Sequence, residues 1–245
     1  MEAIPEAEGL PSYDSVTQTK TDPIQQHHIL GPATLHVAGR FIHSSDPSAP
    51  PLYEFSHSIG FLSATDRSVS LQRLDHVVAD GATQVHTRKR HLFDLKHPTK
   101  AEFPAFDFHA ETASRRALCC LGIKPFHPAR GLFSSLGNAK RKRYRVHRAV
   151  RGRDRRLEEQ PDVVFSAAPS RDRGVGFEWS DGEGRLLARE VETNELMSLV
   201  VTAEMETETR DALVAAWMLR VWYELAQGNY RGNTWDDGEY LLNVT

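Results

Sequence analysis

The chemically active side chains of this chain concentrate in one basic run. Lys140, Arg141, Lys142, Arg143 and Arg145 surround Tyr144, and cations continue at Arg148, Arg151, Arg153, Arg155 and Arg156. Clusters of about four to eight Lys or Arg attract anionic lipid headgroups at roughly 1 kcal/mol per residue. The same KRKR spelling fits a nuclear-import signal or a nucleic-acid contact, and a charge run is also satisfied by water or by facing acids. If 142–150 forms a strand, Lys142, Tyr144, Val146 and Arg148 share one face, and Arg143, Arg145 and His147 share the other. An apolar interior accepts no row of unpaired charges, so one set must be paired with acids or lie in a loop. A second cluster, Arg88, Lys89 and Arg90, lies in a strand-like segment and would extend an anion-binding face if it neighboured the first.

Two peptide motifs carry a different chemistry. Leu10-Pro11-Ser12-Tyr13 resembles the LPxY ligands that WW domains bind as extended peptides in aromatic-lined grooves, which makes recruitment of a WW-domain ubiquitin ligase an alternative function. Pro50-Pro51-Leu52-Tyr53 spells a fuller version, but the strand pattern of 52–55 turns Leu52 or Tyr53 toward a core and gives that copy a structural role.

Catalytic signatures are missing. The chain has no G-x-S-x-G elbow, P-loop, Rossmann fingerprint or H-E-x-x-H. His86 and His91 would face opposite sides of a strand, and with His97 they lack metal-ligand spacing. A non-catalytic protein without metal or cofactor is expected.

Composition bounds the setting. A length of 245 residues with 40% hydrophobic content suits one β domain with tails. The net charge of -3 conceals a segregation: 130–156 is basic, whereas Asp181, Glu183, Glu190, Glu192, Glu195, Glu204, Glu206 and Glu208 make the following region acidic. Two adjacent cysteines, Cys119 and Cys120, would point to opposite faces of a strand and so argue against a mutual disulfide. The N-terminus has neither a basic nor an apolar leader segment. Together these features predict an intracellular, cytoplasmic protein, with membrane-peripheral or nuclear placement depending on how the basic run is used.

The elements that must position these residues are mostly strands. Residues 1–29 lack apolar periodicity and read as disordered. Alternating or apolar runs predict strands near 34–37, 52–56, 69–78, 84–95, 105–110, 117–123, 142–150, 163–167, 175–179, 186–192 and 196–204. Asp181-Gly182-Glu183-Gly184 predicts a hairpin turn, and 126–139 and 151–162 read as exposed loops. The last regular element, 207–227, is a helix. Thr207 can cap it, Glu208 and Asp211 suit its dipole, and Gly228 can stop it. From Ala212 to Leu219 it is apolar on every face, so it should be buried on every side. Arg210 and Arg220 bracket that run, which is too short to span a bilayer. Trp235, Tyr240, Leu241 and Leu242 in the tail after 228 are large apolar groups that suggest a return to the folded domain.

The order of short strands, then Phe177-Glu178-Trp179 and Gly184-Arg185-Leu186-Leu187-Ala188, then 196–201 and the helix at 213–222, resembles the tubby-like superfamily of tubby C-terminal domains, LURP-one-related proteins and phospholipid scramblases. The resemblance runs over 30–227 in element order and over 175–223 in residue detail. It implies a closed antiparallel barrel of about twelve strands threaded by the hydrophobic C-terminal helix, and a surface that binds phosphoinositide headgroups. The chain departs from scramblases in having no proline-rich repeat, no acylation-type cysteine cluster and no membrane span. The expected organisation is a tail over 1–29, a barrel domain over 30–228 with its core helix at 207–227, and a tail over 229–245.

Overall fold

The computed structural model describes residues 28–46, 48–78, 85–102, 104–126, 142–154, 156–192 and 197–228. Twelve strands form a closed antiparallel barrel: β2 (Ala33–Ala38), β3 (Phe41–Ser44), β4 (Tyr53–Phe55), β5 (Ser68–Val78), β6 (Val85–Lys96), β7 (Phe108–Thr112), β8 (Cys120–Phe126), β9 (Arg143–Arg151), β10 (Leu157–Pro169), β11 (Val175–Asp181), β12 (Leu186–Glu192) and β13 (Met197–Val201). Each pairs with its neighbours in sequence, and β13 pairs with β2 to remove the last free edge. Outside the wall, β1 (Ile29–Leu30) pairs with β14 (Met205–Glu206), which leads into α1 (Thr207–Ala226).

Strand alternation fills the interior. Leu35 and Val37, Leu121 and Ile123, Tyr144 and Val146, Phe165 and Ala167, and Leu199 and Val201 are inward pairs two residues apart, all essentially buried. Eight strands make a barrel that its own side chains fill, whereas twelve leave room for a helix roughly 10–12 Å across. Helix α1 occupies that space, and every residue from Arg210 to Tyr223 is buried. The all-round apolar pattern therefore reflects a wall on all sides.

A buried pair of opposite charges is accommodated within this core. Arg220 and Glu190 are each 2% exposed at the side chain. Arg220 donates through Nε to Glu190 Oε1 at 2.7 Å and through Nη2 to Oε2, while Trp179 Nε1 donates to the same Oε1 at 2.7 Å. The guanidinium also lies 4.4 Å from the Phe177 ring centre. Isolated burial of either charge would cost several kcal/mol, and this fork-shaped pair offsets that cost.

Several sequence expectations need correction. The charged segment 151–162, read as a loop, is partly strand, because β10 begins at Leu157. Its charges face outward, where Glu159 meets Lys124 Nζ at 2.5 Å, so charge on alternate positions does not oppose a strand in a barrel wall. Strand β3 has only four residues and no long alternation to announce it. Thr207 is not the N-cap: Glu206 occupies that position without a side-chain cap, and Thr207 instead donates through N and Oγ1 to His28 O at 3.0 and 2.9 Å. Cys119 precedes β8 rather than lying in it, and both thiols are free. The 181–184 turn forms as expected. Gly184 has φ +86°, and Asp181 Oδ1 accepts from the backbone N–H groups of Glu183 and Arg185 at 3.0 and 2.9 Å.

Two outcomes follow. Trp217, fully buried on α1, when changed to Ala should lower unfolding free energy by about 3–5 kcal/mol in denaturant titration. Arg220→Met should cost a similar ~3–5 kcal/mol by stranding Glu190, and adding Glu190→Gln should recover part of that loss, since the amide oxygen still accepts from Trp179. A double variant no more stable than Arg220→Met alone would contradict the buried-pair account.

Candidate functional site

Register fixes where the basic residues lie. Lys96, His109, Gly122 and His147 form one row across β6, β7, β8 and β9. Lys142, Arg143 and Arg145 lie on one side of that row, and Arg88, Lys89 and Arg90 lie on the other. The two clusters therefore occupy opposite ends of the wall and form no common face. Lys140 and Arg141, and the peptide Leu10, Pro11 and Tyr13, fall outside the described residues.

The Arg88–Arg90 end surrounds the start of α1, and its charges are largely consumed internally. Lys89 Nζ lies 2.6 Å from Glu54, which Arg40 also reaches at 3.1 Å. Arg90 Nη2 is 3.3 Å from Asp75, and Asp75 in turn holds Arg73 Nε at 2.8 Å. Arg73 Nη1 donates to buried Asp211 at 2.6 Å, and Tyr53 donates its hydroxyl to Asp211 at 2.9 Å. Tyr53 is thus structural, as the strand pattern of 52–55 predicts, and Asp211 is a buried ion partner rather than an exposed dipole-complementing acid. Arg88 is exposed and has no ion pair among the described residues.

The opposite end has a different character. Tyr144 turns into the core, which leaves Arg143 and Arg145 outward and exposed. Arg145 stacks its guanidinium 4.2 Å from the centre of the Phe126 ring, and Lys142 Nζ sits 5.4 Å over Tyr223, in the last turns of α1. A cation on an aromatic face keeps its charge available for an anion. The arrangement also adds a member that sequence reading missed. Tyr144 pairs with Ala167 of β10, so the turn at 170–174 after β10 lies beside Lys142. That turn exposes Arg171 and Arg173, whereas its acid Asp172 lies 3.6 Å from Arg189. Among the described residues, Lys142, Arg143, Arg145, Arg171 and Arg173 have no carboxylate partner. They form a basic patch on the rim, at β9 and the β10–β11 turn, at the end of the barrel where α1 terminates, and the negative pole of the helix dipole favours cations there.

A cavity of about 530 Å³ lies on the outer wall, bordered by Arg67, Lys96, His97, Phe106, His109 and Arg156. Gly122 shapes it, since a Cβ there would come within 2.3 Å of the Phe106 ring, which lies against the outside of β8. Part of its charge is paired: Glu111 takes Lys96 at 3.1 Å and also the neighbouring Arg151 at 2.7 Å. Burial holds the His109 imidazole below its ordinary pKa, opposed by Glu111. Among the described residues no group of three or more His, Cys, Asp or Glu side chains could hold a metal ion, and no helix is long and apolar enough to cross a membrane.

Comparison with protein family models, curated proteins and solved structures returns no match.

Burial pushes the Asp211 carboxyl up to about 6, although Arg73 and Tyr53 pull it down. Its folded value therefore exceeds its unfolded value, so the folded state binds the proton more tightly, and this group's contribution to stability falls as pH rises from about 4 through about 6. Asp211→Asn should remove a pH-dependent component on the order of 3 kcal/mol from the difference between pH ~4 and pH ~7. Matching pH–stability curves for the variant and the parent protein would contradict this.

Proposed function

We propose that this chain is a non-catalytic binding module of tubby-like architecture that recognises anionic phospholipid headgroups, phosphoinositides in particular, through its basic rim. The observation that carries the reading is the convergence of Lys142, Arg143, Arg145, Arg171 and Arg173 at one barrel end without a carboxylate partner among the described residues. A folded protein gains nothing in stability from five cations gathered in this way, because their mutual repulsion opposes compaction. A multiply charged headgroup offsets that repulsion. The cations cluster at β9 and the neighbouring β10–β11 turn at one end of a closed barrel, so they approach a planar surface together. Support for the tubby-like assignment comes from the twelve-strand barrel closed around a buried, largely apolar C-terminal helix. The Arg88, Lys89 and Arg90 cluster is excluded from this site, because Glu54 and Asp75 neutralise two of its members.

Vesicle flotation tests the proposal. Replacing Lys142, Arg143 and Arg145 with Gln should weaken partitioning onto phosphatidylinositol bisphosphate vesicles roughly 100-fold, at about 1 kcal/mol per lost cation. Binding of the parent protein should also decline with added salt. Neutralising Arg88, Lys89 and Arg90 should leave partitioning near the parent value. Equal flotation of the parent protein and the rim variant, or no flotation of either, would overturn the proposal.

A further inference from the structure

The cavity on the outer wall has a pre-formed frame. Its floor includes the cross-strand partners Ser68, Lys96 and His109, a row over β5, β6 and β7. Directly opposed side chains in such a row stand about 5 Å apart. Residues between β6 and β7 supply a second side, and hydrogen bonds fix where that side begins and ends. His97 N donates to Arg67 O at 3.1 Å, and Arg67 Nη1 donates to His97 O at 3.3 Å. His97 Nδ1 donates to Asp107 O at 2.8 Å, and its ring stacks on Phe108 with centres 4.1 Å apart. Phe106 is pinned over the bare Gly122 and buried with Ala149 and Leu157.

The polar groups of the cavity do not cancel. Glu102 Oε1 accepts from Thr99 N at 3.1 Å and Thr99 Oγ1 at 2.7 Å, and Glu111 Oε2 accepts from Lys96 and Arg151, so both acids are committed. Facing them are three cations, Arg67, Lys96 and Arg156. Arg67 forms no ion pair among the described residues, and Lys96 keeps two ammonium hydrogens beyond the one given to Glu111. Burial leaves His109 an uncharged imidazole near neutral pH, a hydrogen-bonding group rather than a fourth cation. Pro98, Pro104, Phe106 and Leu157 make the remaining surface apolar. The volume of about 530 Å³ lies within the range of small-molecule sites, roughly 300–1,000 Å³. One cation in excess of the acids suits a single negative charge, and the apolar surface suits a ligand with a hydrocarbon body.

The geometry points to this cavity as a binding site for a small organic monocarboxylate, its carboxylate held by Arg67 and Lys96 and its apolar body laid against Phe106 and Leu157. A guanidinium fork matches a carboxylate, and such charge-assisted contacts are about twice as strong as neutral ones. The site uses none of the rim cations and does not rest on the lipid reading.

Isothermal titration calorimetry of the full chain with benzoate, 2-naphthoate and octanoate tests the assignment. At least one of the three should bind saturably, at one site per chain. The alcohol of the same skeleton should bind roughly tenfold more weakly, because it lacks the charge. Inorganic phosphate, which has no apolar body, should not compete. R67Q, at an exposed position, should keep the parent's melting temperature and weaken carboxylate binding about tenfold. K142Q/R143Q/R145Q should bind as the parent does, whatever the outcome with vesicles. Four results would each overturn the proposal: no saturable binding of any of the three carboxylates, an alcohol as tight as its carboxylate, competition by phosphate, or parent-like affinity in R67Q. Loss of binding in K142Q/R143Q/R145Q would place the carboxylate on the rim and overturn it equally.

Discussion

A helix with no polar face has to be enclosed, and the rest of this structure follows from that requirement. Helix α1 buries every residue from Arg210 to Tyr223. The only soluble enclosure without a free strand edge is a closed wall, and twelve strands give it the bore that a helix needs. Enclosure then dictates the wall's chemistry: each strand turns apolar residues inward at every second position, while the outer positions can carry any charge that water tolerates. Deep in this interior Arg220 is held by Glu190 of β12, which also accepts from Trp179 of the adjoining strand β11. That contact ties the helix to one rotational setting inside the barrel.

Because the interior is committed to packing, function is confined to the two rims and the outer wall. The rims differ in how their charge is used. At the start of α1, Arg90, Asp75 and Arg73 form a chain of ion pairs that ends on buried Asp211, and Lys89 pairs separately with Glu54. At its end, the cations lie on aromatic faces or extend from a turn, and among the described residues none of them forms an ion pair with a carboxylate. The asymmetry matches the helix itself, whose carbonyl pole lies at the cationic rim.

Much of this was legible in the sequence. The helix announced itself because its apolar positions have no gap, and most strands because period-two alternation is hard to produce otherwise. What escaped had physical reasons. Strand β3 is too short to show a period. Residues 157–162 look like a loop because outward-facing strand positions and loops obey the same polar rule. Arg220 reads as the polar end of an apolar run, since its partner Glu190 is thirty residues earlier and only topology brings the two together. Arg171 and Arg173 read as an ordinary charged turn until the pairing of Tyr144 with Ala167 sets that turn beside Lys142. The same register separates Arg88, Lys89 and Arg90 from the main basic run, a relation that spacing along the chain cannot encode.

The enclosure of α1 can be measured directly by native-state hydrogen exchange resolved to individual amides. Amides from 213 to 222 should exchange only through global opening, with protection equal to the full unfolding free energy and uniform around the helix. Faster exchange on one side of the helix, or protection well below the global value, would mean that α1 lies on a surface, and the account of the barrel as a wall built around it would be wrong.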